Sequence, residues 1–273
     1  MKQKILLIND LPGYGKVAIS AMAPILSHMG FDLYNLPTAL VSNTLNYGKF
    51  EILDTSDYMK KCLAVWDELQ FSFDAISTGF IVSEMQVELI LDYCKRERQK
   101  GKKIFVDPIM GDNNKLYNGV SQKTVAYMRE LCSIADYVLP NYTEAAFIAK
   151  CPPQDSISAA QGRAIIDKIR NLGAKNVIIT SAKLDNYNAV IGYNALHDDY
   201  FELKFEAEPA EFPGTGDIFS AVFIGKILSG ESVEVATRAA MDYIKDLIKL
   251  NVDSPDTYRG IQIEAYLDMM DEY

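Results

Sequence analysis

The stretch Phe212-Pro-Gly-Thr-Gly-Asp-Ile-Phe-Ser-Ala-Val-Phe-Ile-Gly225 joins a glycine-rich turn to an apolar segment that predicts a helix. Gly214 and Gly216 let a ligand approach the backbone closely, and the first N–H groups of a helix have no partner within the helix. The turn therefore predicts an anion site, to which Thr215 would add its N–H and where Asp217 could accept a proton from a hydroxyl. The same residues also fit a second interpretation, in which Thr215 or Asp217 is an ordinary N-cap.

A second segment, Lys103–Asp112, predicts a strand that ends in two acidic residues, Asp107 and Asp112. The proline and the glycine between these two residues enforce a turn. Because hard cations prefer oxygen ligands, two carboxylates at the end of a strand suit a cation of this kind.

Two further predicted strands also end in polar residues. In Tyr137–Glu144 the strand stops at a proline, and Asn141 and Glu144 follow with a spacing of three at the start of a helix. This pair fits either a ligand site or an N-cap with its capping box. The β-branched run that begins at Asn176 ends in two hydroxyls, Thr180 and Ser181. Ligands bind beyond the carboxyl ends of parallel strands in open α/β sheets, so these groups together predict one binding site.

Predicted strands alternate with helical patterns, as a mostly parallel sheet with helices on both faces requires. The strands are expected at Lys4–Asn9, Asp32–Leu36, Asp74–Gly79, Lys103–Asp107, Tyr137–Leu139 and Asn176–Ser181, with a β-hairpin at Asn188–Asn194 and Tyr200–Phe205. The helices are expected at Val17–Met29, Ser56–Glu68, Ser83–Lys100, Ser121–Ile134, Thr143–Ala149, Ser158–Leu172, Asp217–Ser229, Ser232–Lys249 and Ile261–Met270. The linker-like Cys151–Ser158 is only an ordinary connection, and residues 1–273 are therefore predicted to form a single domain.

With these segments the chain resembles the ribokinase-like superfamily and, within it, the pyridoxal kinases, over nearly its whole length. Pro213-Gly-Thr-Gly-Asp217 is similar to the anion hole and catalytic aspartate of the superfamily. Asp107-Pro-Ile-Met-Gly-Asp112 is similar to the DPxxGD segment of pyridoxal and hydroxymethylpyrimidine kinases, and Pro140-Asn-Tyr-Thr-Glu144 to the N-x-x-E element. Gly13-Tyr-Gly15 and Val41–Gly48 resemble the GYVG and FSNHTxYG segments, which favour the pyridoxal branch over the sugar kinases.

The resemblance implies ATP-dependent phosphorylation of the hydroxymethyl group of a B6 vitamer (pyridoxal, pyridoxine or pyridoxamine) to its 5′-phosphate. It implies that Asp217 is the catalytic base and that the 214–216 backbone binds the transferring phosphoryl group. Because Asp217 lies at the start of a helix, its pKa is expected to be lowered, which would make it a weak base. The other implied roles are ATP binding by Asn141, Thr180, Ser181 and Asp112, Mg²⁺ binding through water by Asp112 and Glu144, and substrate binding by Asn9, Asp10, Ser42 and Phe80. Whether a monovalent cation also binds stays open.

The sequence departs from the pyridoxal kinase pattern at Leu45, Phe80 and Leu139, where the family commonly has a hydroxyl-bearing residue. A pocket without those hydroxyls discriminates differently among substrates. Two alternatives therefore stay open, namely a kinase of the same fold that acts on hydroxymethylpyrimidine or another small alcohol, and a vitamin-binding protein without catalytic activity. An intact Asp217 speaks against the second alternative, because binding alone does not need a base.

The composition limits the kinds of binding partner and the cellular compartment that we expect for this chain. A formal net charge of −10 without a long basic run argues against nucleic acid and against an anionic membrane surface. The amino-terminal residues lack a signal-peptide pattern, and no apolar run approaches the length of a membrane span. The four cysteines are scattered without paired spacing, which predicts free thiols and a cytoplasmic location. By analogy with the family, the expected assembly is a homodimer.

Overall fold

The computed structural model describes residues 2–117 and 120–273, in which strands and helices alternate along most of the chain. The strands are β1 (Lys4–Pro12), β2 (Asp32–Val41), β3 (Ile52–Asp54), β4 (Ala75–Thr78), β5 (Lys103–Val106), β6 (Gly111–Asp112), β7 (Lys115–Leu116), β8 (Tyr137–Val138), β9 (Asn176–Leu184), β10 (Tyr187–Asn194) and β11 (Asp199–Phe205). The helices are α1 (Ala18–His28), α2 (Ser56–Glu68), α3 (Glu84–Gln99), α4 (Gln122–Ser133), α5 (Tyr142–Ile148), α6 (Ala159–Arg170), α7 (Thr215–Leu228) and α8 (Val233–Asn251).

Nine of these strands belong to one sheet, and β6 and β7 form a separate two-stranded ladder. The pairs β1–β2, β5–β8 and β8–β9 are parallel, whereas β3, β10 and β11 run antiparallel to their partners. A large, mostly parallel sheet with helical connections confirms the predicted α/β class. No helix in residues 2–117 and 120–273 has the length and hydrophobicity that a membrane crossing requires.

The chain divides into two compact units, of which the first consists of Met1–Ile76, Ile81–Ser83 and Glu208–Tyr273. Its strands follow the order β1-β2-β3, and α7 packs against both α1 and α8. Helix α7 is buried on almost every side, which explains why its sequence is apolar throughout. Helix α8 is amphipathic, and the hydroxyl oxygen of Ser232 accepts the N–H of Val235 at its start.

The second unit consists of Ser77–Phe80 and Glu84–Ala207. Its strands follow the order β11-β10-β9-β8-β5, so the predicted β-hairpin is confirmed as an antiparallel extension beside β9. Helices α4, α5 and α6 each begin at a residue whose side chain caps the helix. Such side-chain caps satisfy backbone N–H groups that would otherwise lack a partner.

The last predicted helix, Ile261–Met270, is wrong. Residues 263–265 and 267–272 form two short 3₁₀ turns instead. Ile261 and Ile263 are both buried although they are two positions apart. One face of an α-helix does not contain residues at this spacing, so the burial of both isoleucines does not fit the amphipathic surface helix that was predicted.

Shifts of register occur in β1 and in β9, at residues that the sequence marked as candidates. Between Asn9 and Leu11 the β1–β2 ladder shifts by one residue, which leaves Asp10 outside the regular pairing. The predicted end of β9 at Ser181 is wrong, because pairing with β10 extends the strand to Leu184. Thr180 and Ser181 instead lie at a register shift within the strand. Irregularities of this kind redirect side chains and are frequent next to active sites.

Candidate active site

The anion turn of the first unit begins at Gly214, which is the N-cap of α7 and has φ +88°. A Cβ atom on Gly214 would overlap the carbonyl oxygen of Lys16, so both the left-handed backbone and the close approach require glycine. No side chain caps α7, and the interpretation of Thr215 or Asp217 as the N-cap is therefore wrong. The first N–H groups of α7 therefore have no side-chain cap in the described part of the chain, an arrangement that suits an anion.

Gly216 differs from Gly214 in its surroundings. A Cβ atom built on Gly216 has no protein atom within 4 Å among the described residues. Thr215, between the two glycines, turns its hydroxyl back to the carbonyl oxygen of Phe212 at 3.3 Å. The Thr215 side chain therefore stabilises the turn, while its backbone N–H lies at the start of the helix.

Asp217 lies in the first turn of α7 and is buried, with 8% of its surface exposed. Its carboxylate accepts the backbone N–H of Ala18 and lies 3.4 Å from the side-chain amide nitrogen of Asn9. Burial raises the pKa of Asp217 to about 6, although these two hydrogen bonds lower it. The lowered pKa that the helix start predicted is therefore wrong, because desolvation outweighs the helix dipole. A pKa near 6 suits a general base at neutral pH.

Asn9 and Asp10 follow one another in β1, and both are buried. The side-chain oxygen of Asn9 accepts the backbone N–H of Asp10 at 3.0 Å, and the Asn9 amide nitrogen faces Asp217. Burial, together with the charge of Asp217, raises the pKa of Asp10 to about 7. The structure thus brings Asn9, Asp10 and Asp217 together within the first unit.

Ser42 also belongs to the first unit, but its side chain is exposed and engaged within its own loop. Its hydroxyl donates to the side-chain oxygen of Asn43 at 2.7 Å and accepts the backbone N–H of Glu51 at 2.8 Å. The carbonyl oxygen of Ser42 would lie 3.0 Å from a Cβ on Gly13, which explains the glycine at that position.

In the second unit, Asn141 and Glu144 form the capping box of α5. The Asn141 side-chain oxygen accepts the N–H of Glu144, and a Glu144 oxygen accepts the N–H of Asn141, each at 2.9 Å. Both side chains also contact the segment after β5. The other Glu144 oxygen accepts the N–H of Met110 at 3.1 Å, and the Asn141 amide donates to the carbonyl of Gly111 at 2.8 Å. The structural interpretation of the pair is therefore confirmed, and the pair also fixes the DPxxGD segment.

Glu144 is buried close to further acidic residues of the second unit. Its pKa lies well above its usual range, first because of burial and next because of the charge of Asp107, with a smaller contribution from Asp112. No group of three or more His, Cys, Asp or Glu side chains in the described part of the chain is close enough to hold a metal directly. The donors nevertheless fit Mg²⁺ held through water, because they are oxygens whose mutual repulsion a cation would relieve.

The remaining candidates of the second unit are Thr180, Ser181 and Phe80. Thr180 is half-buried and its N–H donates to the carbonyl of Pro140 at 2.9 Å, whereas Ser181 is exposed. Phe80 is half-buried and follows the end of β4. The sequence did not single out Thr78, a hydroxyl at the carboxyl end of β4 that is buried without a hydrogen-bond partner among the described residues. Its position at the end of a predicted strand, where ligands bind in open α/β sheets, could have identified it from the sequence.

Comparisons with known proteins agree with these observations. The family model described as phosphomethylpyrimidine kinase matches residues 26–261. One similar structure is a Bacteroides thetaiotaomicron protein that carries the name phosphomethylpyrimidine kinase, and its orthorhombic crystal form contains pyridoxal. The two sequences are 34% identical, and the structures superpose with a TM-score of 0.95 over 99% of this chain and 96% of that one. Pyridoxal kinase from Lactobacillus plantarum is 26% identical with a TM-score of 0.88 over 98% of this chain and 96% of that one.

Among curated sequences, pyridoxal kinase from Dictyostelium discoideum is 28% identical over 241 residues, or 82% of this chain and 78% of that protein. The family match spans most of the chain and includes both the anion turn and the capping box. It thereby confirms the superfamily that the motifs predicted. The chain belongs to the phosphomethylpyrimidine kinase family of the ribokinase-like superfamily.

Proposed function

We propose that the protein is an ATP-dependent kinase that phosphorylates the hydroxymethyl group of a B6 vitamer, with residues 1–273 acting as one kinase domain. The observation that carries this proposal is the turn before α7, where uncapped N–H groups lie at the start of the same helix as the buried carboxylate of Asp217. Relatives named pyridoxal kinase, and the relative that contains pyridoxal, support the substrate class.

The groups of the first unit would act on the substrate alcohol. Asp217 accepts the proton of the hydroxymethyl group, and the alcohol oxygen forms a bond to the γ-phosphorus of ATP. The bond between that phosphorus and the β–γ bridging oxygen breaks, and ADP leaves with the electron pair. The N–H groups of Gly214, Thr215 and Gly216 stabilise the negative charge on the transferring phosphoryl group. Asn9 orients the base, and Asp10 and Ser42 contribute to the substrate pocket.

The groups of the second unit would bind the nucleotide. We assign the phosphates of ATP to four residues, namely Asn141, Thr180, Ser181 and Asp112. Phe80 belongs to the same unit but is assigned to the aromatic ring of the vitamer. Asp112 and Glu144, with Asp107 as a further carboxylate, would hold Mg²⁺ through water. When bound, Mg²⁺ neutralises charge on the phosphate oxygens. Within the chain itself, the capping box positions Glu144 for this role.

A second candidate is a kinase of hydroxymethylpyrimidine or of its phosphate. The matching family model and the name of the Bacteroides relative favour it. Leu45 and Phe80, which lack the hydroxyls common in pyridoxal kinases, favour a pocket that relies on stacking and apolar contact. The two candidates share the chemistry at Asp217 and differ in the ring that is bound.

The proposal is tested by coupled measurement of ADP release with pyridoxal, pyridoxine, pyridoxamine, hydroxymethylpyrimidine, its phosphate and ribose as acceptors. We expect the highest kcat/KM for a B6 vitamer and none for ribose. Asp217→Asn should lower kcat by roughly 10²–10⁴-fold with ATP binding unchanged, because a positioned acid–base group contributes on that scale. Activity of the variant within a few-fold of the wild type would contradict the role of Asp217. A preference for hydroxymethylpyrimidine would select the second candidate.

We further propose that the chain forms a homodimer through α2. Tyr58, Val65 and Leu69 follow the helical spacing on or next to this helix, and each is about half exposed. An exposed apolar stripe marks an interaction surface, and a second copy is the occupant that the family resemblance implies.

The four cysteines are free thiols, which supports the expected cytoplasmic location.

A further inference from the structure

A buried threonine in the Val41–Gly48 segment connects separate stretches of the first unit. Thr44 is 3% exposed and comes just before a short 3₁₀ turn. Its backbone N–H donates to the carbonyl oxygen of Tyr14 at 3.0 Å, and its hydroxyl donates to the carbonyl oxygen of Tyr258 at 2.6 Å. Thr44 therefore links a residue near the amino end of the chain to a residue near the carboxyl end.

Both branches of the Thr44 side chain make contacts. While the hydroxyl bonds to Tyr258, the γ-methyl group occupies the space where a Cβ on Gly15 would lie. Gly15 also has φ +116°, a backbone conformation that favours glycine. Serine at position 44 would keep the hydroxyl and lose the methyl group, whereas valine would keep a methyl group and lose the hydroxyl. The two contacts can therefore be separated by substitution.

The stretch that Thr44 holds makes a second contact with the amino-terminal loop. The carbonyl oxygen of Arg259 accepts the backbone N–H of Lys16 at 2.8 Å. A Cβ on Gly260 would lie 2.7 Å from the carbonyl oxygen of Lys16 and 3.1 Å from that of Pro213. The 258–260 segment therefore fixes the backbone of Lys16, and the hydroxyl of Thr44 fixes the start of that segment.

Lys16 in turn contacts the anion turn. A Cβ on Gly214 would overlap the carbonyl oxygen of Lys16, so this oxygen lies directly against the N-cap of α7. Each step from Thr44 to Gly214 is a direct contact, and all of these residues belong to the first unit. N–H groups stabilise a transferring phosphoryl group only from hydrogen-bond distance, and a misplacement of about 1 Å can lower a rate about 100-fold.

We propose that Thr44 is a positioning residue for phosphoryl transfer, because its hydroxyl holds the 258–260 segment that keeps the Lys16 backbone against the anion turn. This inference rests on the proposed function and deepens it, since it names a residue outside the anion turn that sets the geometry of that turn. Thr44 takes no part in the chemistry. Its loss slows the transfer of the phosphoryl group and leaves the binding of ATP and of the alcohol nearly unchanged.

The first test compares two substitutions of Thr44. We expect Thr44→Val to lower kcat about 10- to 100-fold, because the bond to Tyr258 is lost, with the KM values for ATP and for the alcohol within about threefold of the wild type. Thr44→Ser retains the hydroxyl and should keep kcat within about threefold. Thr237→Val is the matched control, because Thr237 is fully buried in the same unit and its hydroxyl also donates to a carbonyl oxygen at 2.6 Å. It should leave kcat unchanged.

Two kinetic results would overturn the inference. If kcat in Thr44→Val falls by less than about tenfold while the KM for the alcohol rises, Thr44 acts on substrate binding and not on the anion turn. Equal losses of kcat in Thr44→Val and Thr44→Ser would show that packing of the methyl group against Gly15 matters and that the bond to Tyr258 does not.

Hydrogen exchange of single backbone N–H groups measures the positioning without any activity. In Thr44→Val the N–H of Lys16, and that of Ile218 in the first turn of α7, should exchange at least about tenfold faster than in the wild type. The N–H of Ser229, at the other end of α7, should exchange at the wild-type rate, which excludes a general loss of stability. Unchanged exchange at Lys16 and Ile218 would overturn the inference.

Failure of the proposed function has a different signature. If the wild type phosphorylates none of the alcohols, the kinase proposal is wrong. The hydrogen exchange of Lys16 and Ile218 still decides whether Thr44 holds the anion turn, because that measurement needs neither ATP nor a substrate. Faster exchange in Thr44→Val, with wild-type exchange in Thr44→Ser and Thr237→Val, supports the positioning role.

Discussion

Gly214 and Gly216 show that two glycines of one motif are needed for different physical reasons. Gly214 is required by the protein, since its φ is positive and a Cβ would meet the Lys16 carbonyl. Gly216 is in a helical turn, and a Cβ there would meet no atom within 4 Å in residues 2–117 and 120–273, so any requirement for glycine there comes from a ligand.

We predict that Gly214→Ala lowers the free energy of unfolding by at least about 2 kcal/mol, because left-handed backbone strain and a backbone clash act together. Gly216→Ala should leave stability unchanged or slightly higher, since alanine favours the helix, while kcat/KM falls at least about tenfold. Urea unfolding and steady-state kinetics measure both effects. Gly230→Ala is the matched control, because Gly230 has φ +98° and a Cβ there would meet no atom of the described residues within 4 Å. Full activity of Gly216→Ala would contradict a ligand at that position.

Asp10 also makes the stability of the protein depend on pH. Its pKa is raised from 3.8 to about 7 in the folded state, so the folded state binds more protons than the unfolded state between those values. The stabilising contribution is therefore complete below pH 3.8 and is lost as the pH rises through about 7.

We accordingly predict that Asp10→Asn is more stable than the wild type at pH 7.5, by up to about 4 kcal/mol at 1.36 kcal/mol per pKa unit. The difference should disappear towards pH 4. Urea unfolding across this range measures it, with Asp253→Asn, an exposed aspartate of the same unit, as the control. A constant difference between the two proteins at every pH would show that Asp10 is not buried with a raised pKa.

At the scale of elements, the capping box of α5 does more than start a helix. Asn141 and Glu144 satisfy each other's backbone N–H groups and also hold Gly111 and Met110. The start of α5 and the segment after β5 are therefore one hydrogen-bonded assembly within the second unit. Any ligand of Glu144 is positioned by this assembly.

We predict that Asn141→Ala lowers stability by about 1–2 kcal/mol and raises the Mg²⁺ concentration needed for half-maximal rate, because both the cap and the bond to Gly111 are lost. Asn141→Ser is the informative control, since serine keeps a cap but is too short to reach Gly111. It should preserve most of the stability and still raise the Mg²⁺ requirement. A Mg²⁺ titration of Asn141→Ser identical to that of the wild type would contradict a role for the bond to Gly111.

The sequence predicted the existence of most elements because their signals are local. Strand β1 and helix α7 are apolar runs, and Ser158 and Asn141 are N-caps that mark helix starts. The register shifts at Asp10 and at Thr180 could not be predicted, because they depend on the partner strand. The β6–β7 ladder had a local signal that was missed, namely Asn113 and Asn114, both of which have positive φ at its turn.

The motifs proposed the residues of the candidate site, but they could not predict the electrostatics of that site. The motif proposed Asp217 as a base, but the sign of its pKa shift depends on burial among distant segments, which the motif does not contain. The alternative interpretation assigned polar residues of the motifs to N-caps. It is wrong for Thr215 and Asp217 and is confirmed for Asn141. The difference lies in the residue just before each helix, a glycine in one case and an asparagine in the other.

At the scale of the whole molecule, the apolar stripe on α2 predicts self-association. Light scattering should give twice the 30.5 kDa chain mass for the wild type. Val65→Glu should give the monomer, because a charge in the centre of an apolar interface lacks compensation. Leu196→Glu is the control, since Leu196 is 86% exposed in a loop of the second unit. A monomeric wild type would contradict the proposed dimer.

The contact between Gly260 and Lys16 has a consequence for biosynthesis. A Cβ on Gly260 would lie 2.7 Å from the Lys16 carbonyl, which also packs against Gly214, and the bond between Asn9 and Asp217 spans 208 positions. During translation the ribosome therefore releases almost the entire chain before the base reaches its final environment. Contacts of such sequence separation form late and slowly. Nascent chains arrested before residue 260 should lack the anion turn, although β1 and β2 can already pair.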